Sequence, residues 1–247
     1  MEKAFDDRIN QSLAVRREIL RAALRDMDLP EVVGVAVKGL EELIGATSAA
    51  AFIVDDETGR LRLAAQEGMP AEFLRQLSKT DKAGGIFSSV IESGEEGVVS
   101  DIASDGDLAP LFEGSENAQC LVAFPLISQS GVLGLMAAAC AGRHDLDTEE
   151  RSLLKAFGTD LATAIESIHK GDNLRQTFLS TIRAFSQAID AKDAHAHGHS
   201  DKVVAIAVTI AEQMQLGDDV IKGIREAGYL HDIGKLGASE SIFGKAG

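Results

Sequence analysis

The chain has no tryptophan, one tyrosine and four prolines among 247 residues. That composition disfavours a Pro-rich linker and an aromatic groove for peptides. Cysteine is scarce, with two in all. Cys120 and Cys140 lie inside apolar runs at a spacing that fits no zinc pattern. They read as reduced core thiols, with a disulfide between neighbouring strands as the alternative. Basic residues are also few: 24 Lys and Arg against 39 Asp and Glu give a formal net charge of −15. A partner bound through neutralised phosphates wants a basic surface, so nucleic acid is disfavoured. No run approaches the roughly 18 apolar residues of a membrane span. The N-terminal MEKAFDDRIN is charged and lacks the apolar core of a secretory signal. The expectation is a cytoplasmic protein that engages neither nucleic acid nor membrane.

What is present is ordinary for a globular protein: 45% hydrophobic and 26% charged residues, in a length that suits one large domain or two smaller ones. A helix is expected over DRINQSLAVRREILRAALRDMDLP, stopped by Pro30, and a second over EVVGVAVKGLEELIGA, ended near Gly45. SAAAFIVDDETGRLRLAAQEG reads as a hairpin turning at Glu57-Thr58-Gly59. Short helices near PAEFLRQLS and GGIFSSVIESG and a strand at GVVSDI follow. ASDGDLAPLFEGSENAQ reads as loop with one helical turn. CLVAFPLISQSGVLGLMAAACA is a strong hairpin turning at Gln129-Ser130-Gly131. A long helix then opens at Asp147, with Glu149 and Glu150 in its first turn. From AHAHGHS onward the pattern is helical.

Two stretches carry a heptad spacing. Ile9, Leu13, Leu20, Ala23 and Met27 fall on one stripe of the first helix, with Arg16 as its exception. Phe157, Leu161, Ala164, Ile168, Gly171, Arg175, Phe178, Ile182, Phe185 and Ile189 repeat at 4-3 spacing along the connector, weakest at Gly171 and Arg175. Stripes of this kind suit parallel pairing of two copies through the N-terminal helix and Phe157–Ile189. The alternative for the first half of the connector is burial against its own sheet.

The segment from about 30 to 168 resembles a GAF domain. The residues that carry the likeness are LVAFPLISQSGVLGLMAAA, followed by LDTEERSLLKAFGTDLATAIES. The resemblance implies an antiparallel sheet flanked by helices, serving as a sensory or dimerising module. The Asn-Lys-Phe-Asp-Glu run of cyclic-nucleotide-binding members is absent, and neither cysteine precedes a histidine as in bilin-attaching members. His144 and His169 are lone histidines of the kind usually found on surfaces. The ligand of this module is unknown.

Near the C-terminus, His231 and Asp232 are adjacent and Lys235 follows at i+4. Histidine plus carboxylate without thiolate suits iron, manganese or another borderline metal. On a helix the two ligands would sit about 100° apart, with Lys235 one turn beyond His231 to hold a phosphate oxygen. His199 would be the ligand from a second helix. His195 and His197 alternate in HAHGH and read as non-ligands. IDAKDAHAHGHSDKVVAIAVTIAEQM and AGYLHDIGKLGASESIFGKAG resemble the HD-GYP branch of the HD metal phosphohydrolases. Asp193, Gly198, His199 and Ser200 match its first motif, Leu230 to Lys235 its second, and Lys245 and Gly247 its third. The resemblance implies a phosphodiesterase of cyclic di-GMP type holding one or two metal ions. His199, His231 and Asp232 would be ligands, and Lys235 and Asp232 would act in catalysis. No general base stands out. Members of that family carry further ligands and the Gly-Tyr-Pro signature downstream, and this chain carries neither. It is therefore expected to be silent as given, and a fragment of a longer enzyme is favoured over a natural short protein.

The expected architecture is α+β: an N-terminal helix over 1–29, a GAF-like domain over 30–168, and over 169–247 a connector helix leading into an all-α, partial HD-type segment. The leading function is GAF-regulated, metal-dependent hydrolysis of a cyclic dinucleotide. The alternative is a non-enzymatic GAF sensor or dimerisation protein with a vestigial HD segment.

Overall fold

A computed structural model describes residues 13–22, 27–55, 57–79, 85–115, 117–142, 145–192 and 198–237. The chain divides into two compact units, Met1–His169 and Lys170–Gly247.

The first unit is built on one sheet. Strands β1 (Ala46–Val54), β2 (Leu61–Glu67), β3 (Gly97–Val99), β4 (Cys120–Ser128) and β5 (Gly131–Cys140) lie in the order β2-β1-β5-β4-β3. Every neighbouring pair is antiparallel. Both faces of the sheet are covered, so its central strands read as unbroken apolar runs instead of alternating ones. In β4, Cys120, Val122, Phe124 and Leu126 enter one core while Leu121 and Ala123 enter the other. The first core is completed by helix α1 (residues 13–22), helix α2 (Leu29–Ile44) and the start of helix α5 (Thr148–Lys192). The second is completed by α3 (Ala71–Lys79), α4 (Ile86–Ser93) and two 3-10 turns, Ile102–Ser104 and Ala109–Phe112. Close contact between β1 and β5 depends on Gly134. A Cβ there would lie 2.0 Å from the Phe52 carbonyl oxygen, so only glycine fits.

Both long helices open on carboxylate caps. The Asp28 side chain accepts from the Glu31 amide and Glu31 returns the bond to the Asp28 amide. Asp147 accepts from the amides of Glu149 and Glu150, and Glu150 returns to the Asp147 amide. Pro30 does not stop the first helix as expected. It sits in the first turn of α2, where its missing N–H leaves no intrahelical bond unmade. The loop expected between β3 and β4 holds two 3-10 turns instead of one helical turn.

The N-terminal helix divides by face. Val15, Ile19 and Ala22, outside the heptad stripe, are buried in the first core, whereas the stripe's Leu13 and Leu20 are exposed and its Met27 packs against that core. Arg16, the break in the heptad, donates from Nε to Asp160 Oδ2 of α5 at 2.5 Å. Ile9 and Ala23 lie outside the described residues. On α5, Phe157, Leu161 and Ala164 are buried in the same core, and Ile168 packs against it.

In the second unit, α5 continues past Gly171 and Arg175 with no break. Arg175, the polar interruption, pairs with Glu226 at 2.8 Å. Helices α6 (His199–Gln213) and α7 (Asp218–Leu230) follow, then a 3-10 turn, Ile233–Gly237. Ile182 and Ile189 of α5 are buried, as are Val204, Val208 and Ala211 of α6. Gly228 lets α7 approach α6, since a Cβ there would meet Val204 Cγ2 at 2.7 Å.

Candidate metal centre

Two helix ends build the site. His199 is the first residue of α6, directly after Gly198, whose φ of 67° is the left-handed conformation that favours glycine. His231 is the C-cap of α7. The expected geometry, with His231 and Asp232 inside one helix, is therefore replaced by a helix end. Asp232 lies in the turn between α7 and the 3-10 turn that carries Lys235.

The consequence is a compact donor set. His199, His231 and Asp232 each offer a ligand atom, and these atoms lie within 4.8 Å of one another. Asp232 Oδ2 is 3.3 Å from His231 Nε2 and 4.0 Å from His199 Nε2. The two imidazole centroids are 5.4 Å apart. His231 Nδ1 is 2.6 Å from the Gly228 carbonyl oxygen. A carbonyl only accepts, so Nδ1 carries a proton, and Nε2 is the nitrogen left to ligate a metal beside Asp232. That arrangement is the one a metal-ligating histidine needs. Two imidazoles and one carboxylate without thiolate fit a first-row divalent ion.

Lys235 reaches Asp232 rather than His231: Nζ donates to Asp232 Oδ2 at 2.6 Å. This bond is the main reason the Asp232 carboxyl is held below its usual range. Partial burial opposes it, and the charges of His231, Lys235 and His199 add to it. The 3-10 turn explains the pairing, because it brings residues at i and i+3 together.

Around this set, sequence reasoning missed two carboxylates. Asp190 at the end of α5 is buried and accepts from both the amide and the hydroxyl of Ser200 at 2.9 Å each. Asp201 accepts from Arg183 at 2.9 Å, Gln187 at 3.2 Å and Tyr229 at 3.1 Å. The Arg183 hydrogen bond leads in holding its carboxyl below the usual range. Burial, with the Asp201 bond, pushes the Tyr229 hydroxyl up. The sequence signal was thin: both acids fall in helical stretches where an aspartate reads as solvated surface. Asp193, His195, His197, Lys245 and Gly247 lie outside the described residues, as does His144. His169 belongs to none of the metal-ligating groups found among the described residues.

The first unit has a cavity of its own. About 290 Å³ of space lies between α3, α4 and the 3-10 turns, lined by Phe73, Leu77, Phe87 and Leu108, with Asp105 and Asp107 at its edge. The Asp105 carboxylate already accepts from the amides of Asp107 and Leu108.

Residues 26–166 match the family model described as a GAF domain. The chain is 41% identical over 66 residues to a 3′3′-cGAMP-specific phosphodiesterase of Vibrio cholerae, a match covering 27% of this chain and 14% of that protein. It is 30% identical over 92 residues to a cyclic di-GMP phosphodiesterase of Pseudomonas aeruginosa, covering 35% of this chain and 22% of that one. The matched stretches thus span between 14% and 22% of these relatives' lengths. Among solved structures, the GAF domain of a phosphoenolpyruvate-protein phosphotransferase from Coxiella burnetii superposes with a TM-score of 0.54 at 22% identity, covering 66% of this chain and 97% of that one. Free methionine-R-sulfoxide reductase from Neisseria meningitidis gives 0.52 at 17% identity, over 65% and 91%. At these identities the likeness is one of fold. No helix among the described residues is long and apolar enough to cross a membrane.

Proposed function

Because the chain belongs to the GAF family through residues 26–166, we propose that its first unit is a regulatory module and that its second carries part of a metal-dependent phosphodiesterase centre for a cyclic dinucleotide. The observation that carries this reading is the convergence of His199 with His231 and Asp232, from two helices, to within 4.8 Å. The names of the relatives, phosphodiesterases of cyclic dinucleotides, support the substrate class.

His199 Nε2, His231 Nε2 and an Asp232 oxygen would hold a manganese or iron ion. Such an ion supplies Lewis acidity and an activated water for attack on phosphorus. Lys235 would give up its bond to Asp232 and take a phosphate oxygen. Among the described residues three protein ligands supply the centre, enough for one ion and too few for a two-metal clamp on attacking and leaving oxygens. The chain is expected to bind one ion without turning over substrate.

The test is equilibrium dialysis against Mn²⁺, followed by assay with cyclic di-GMP and 3′3′-cGAMP. The expected result is one ion per chain, lost in His231→Ala, with no turnover above that variant. Absence of metal binding would overturn the catalytic reading and leave a GAF sensor or dimerisation protein with a vestigial second unit.

Self-association belongs to the same proposal. Leu174, Phe178 and Phe185 are exposed on α5 while Ile182 and Ile189 are buried. A parallel homodimer would use that exposed stripe, together with Leu13 and Leu20 of α1.

A further inference from the structure

The His199 ligand is the first residue of α6, and a helix's first turn is its least constrained, because its amides have no partners within the helix. Here one of those amides is taken by a residue of another helix. Asp190 is 4% exposed and Ser200 is 1% exposed. One carboxylate oxygen of Asp190 accepts the Ser200 N–H at 2.9 Å and the other accepts its hydroxyl at 2.9 Å. The paired bonds fix both position and rotation of the turn, as a single bond would not. The negative charge also sits at the positive end of the α6 dipole.

The other histidine is held differently. His231 is oriented by the carbonyl of Gly228 in its own helix, α7. The distance between the two imidazoles is thus set by two independent supports, one from α5 and one from α7.

We infer that Asp190 is a positioning residue for the metal centre: through Ser200 it fixes the helix turn that presents His199, and it touches neither metal nor substrate. The inference rests on the metal reading given above.

The experiment uses the whole chain with Co²⁺ as the probe, followed by calorimetry and by visible absorption of the bound ion. Loss of an outer-shell partner of a metal ligand lowers affinity by roughly 10- to 100-fold. Asp190→Ala is expected in that range, with an altered Co²⁺ spectrum. Asp190→Asn keeps one acceptor and Ser200→Ala keeps the amide bond, so both should fall between it and wild type. In metal-free protein the Ser200 amide should exchange faster in Asp190→Asn. Ile182→Val, a core change elsewhere on α5, is the control: it should lower Tm yet leave affinity and spectrum unchanged. Wild-type binding with the same affinity and spectrum in both Asp190 variants would overturn this inference alone. A wild-type chain that binds no Co²⁺ would overturn the metal reading and this inference with it.

Discussion

Lys235 Nζ donates to Asp232 Oδ2 at 2.6 Å, on the same oxygen that lies 3.3 Å from His231 Nε2. The lysine therefore occupies the carboxylate that a metal ion would share with the imidazoles. Because this bond is the main cause of the lowered Asp232 pKa, Asp232 is ionised at neutral pH and able to serve as a ligand. Ligation through Oδ2 then requires the ammonium to swing away. Removing it by Lys235→Met should raise Mn²⁺ affinity a few-fold, the scale of a partly exposed ion pair. Asp232→Asn should abolish binding. A lower affinity in Lys235→Met, measured by calorimetry, would show that the ammonium supports the ion instead of competing with it.

Gly134→Ala tests the sheet. The added methyl would lie 2.0 Å from Phe52 O and 2.9 Å from Ile53 Cα. Both are backbone atoms of a central strand and cannot rotate aside, so β1 and β5 must separate. The expected cost is about 3 kcal/mol or more, read as a lower urea midpoint for the first unit. Gly34→Ala, on α2 with nothing within 4 Å of the added carbon, is the control and should be neutral or slightly stabilising.

Much of the fold was legible because its signals are local. The turns at Glu57-Thr58-Gly59 and Gln129-Ser130-Gly131 and the caps at Gly45 and Asp147 are short-range patterns that tertiary contacts only reinforce. Pro30 was misread because a proline suits the first turn of a helix as well as the end of one, and Asp28, the capping residue two positions before it, decides between them. In the candidate centre, residue types identified His199, His231 and Asp232. The bond from Lys235 to Asp232 was not legible, because α7 ends at Leu230 and an i+3 turn replaces the helix assumed through His231 and Lys235. Asp190 and Asp201 were invisible because their importance comes from α5 meeting α6 and α7, a long-range relation that no spacing along the chain records.

Cys140 predicts a pH dependence. It pairs with Cys120 across β4 and β5, and both are buried thiols not joined in a disulfide. The hydrogen bond with Cys120, then burial, pushes the Cys140 thiol far above its ordinary value of 9.0. The native state thus keeps a proton that the unfolded chain releases, so stability falls as pH rises past 9.0. The contribution is about 1.4 kcal/mol per pH unit. Urea melts at pH 8 and pH 10 should show a larger alkaline loss for wild type than for Cys140→Ala. Equal losses would mean that the native thiol ionises as readily as the unfolded one.

The exposed stripe on α5 makes the last prediction, and burial dictates which residues test it. Phe178 and Phe185 are 48% and 55% exposed and Leu174 is 72% exposed, whereas Ile182 is 7% exposed. Charging Ile182 would damage the core of the second unit and so could not separate unfolding from dissociation. Phe178→Glu with Phe185→Glu changes only surface in the monomer. In a parallel dimer the same change sets like charges across a desolvated seam, at a cost of about 3 kcal/mol or more. Light scattering at micromolar concentration should show a wild-type dimer and a double variant that is monomeric with an unchanged Tm for the first unit. Adding Leu13→Glu and Leu20→Glu should have its own effect if α1 shares the interface. A wild-type monomer would sink the dimer, and so would a dimer untouched by changes in both helices.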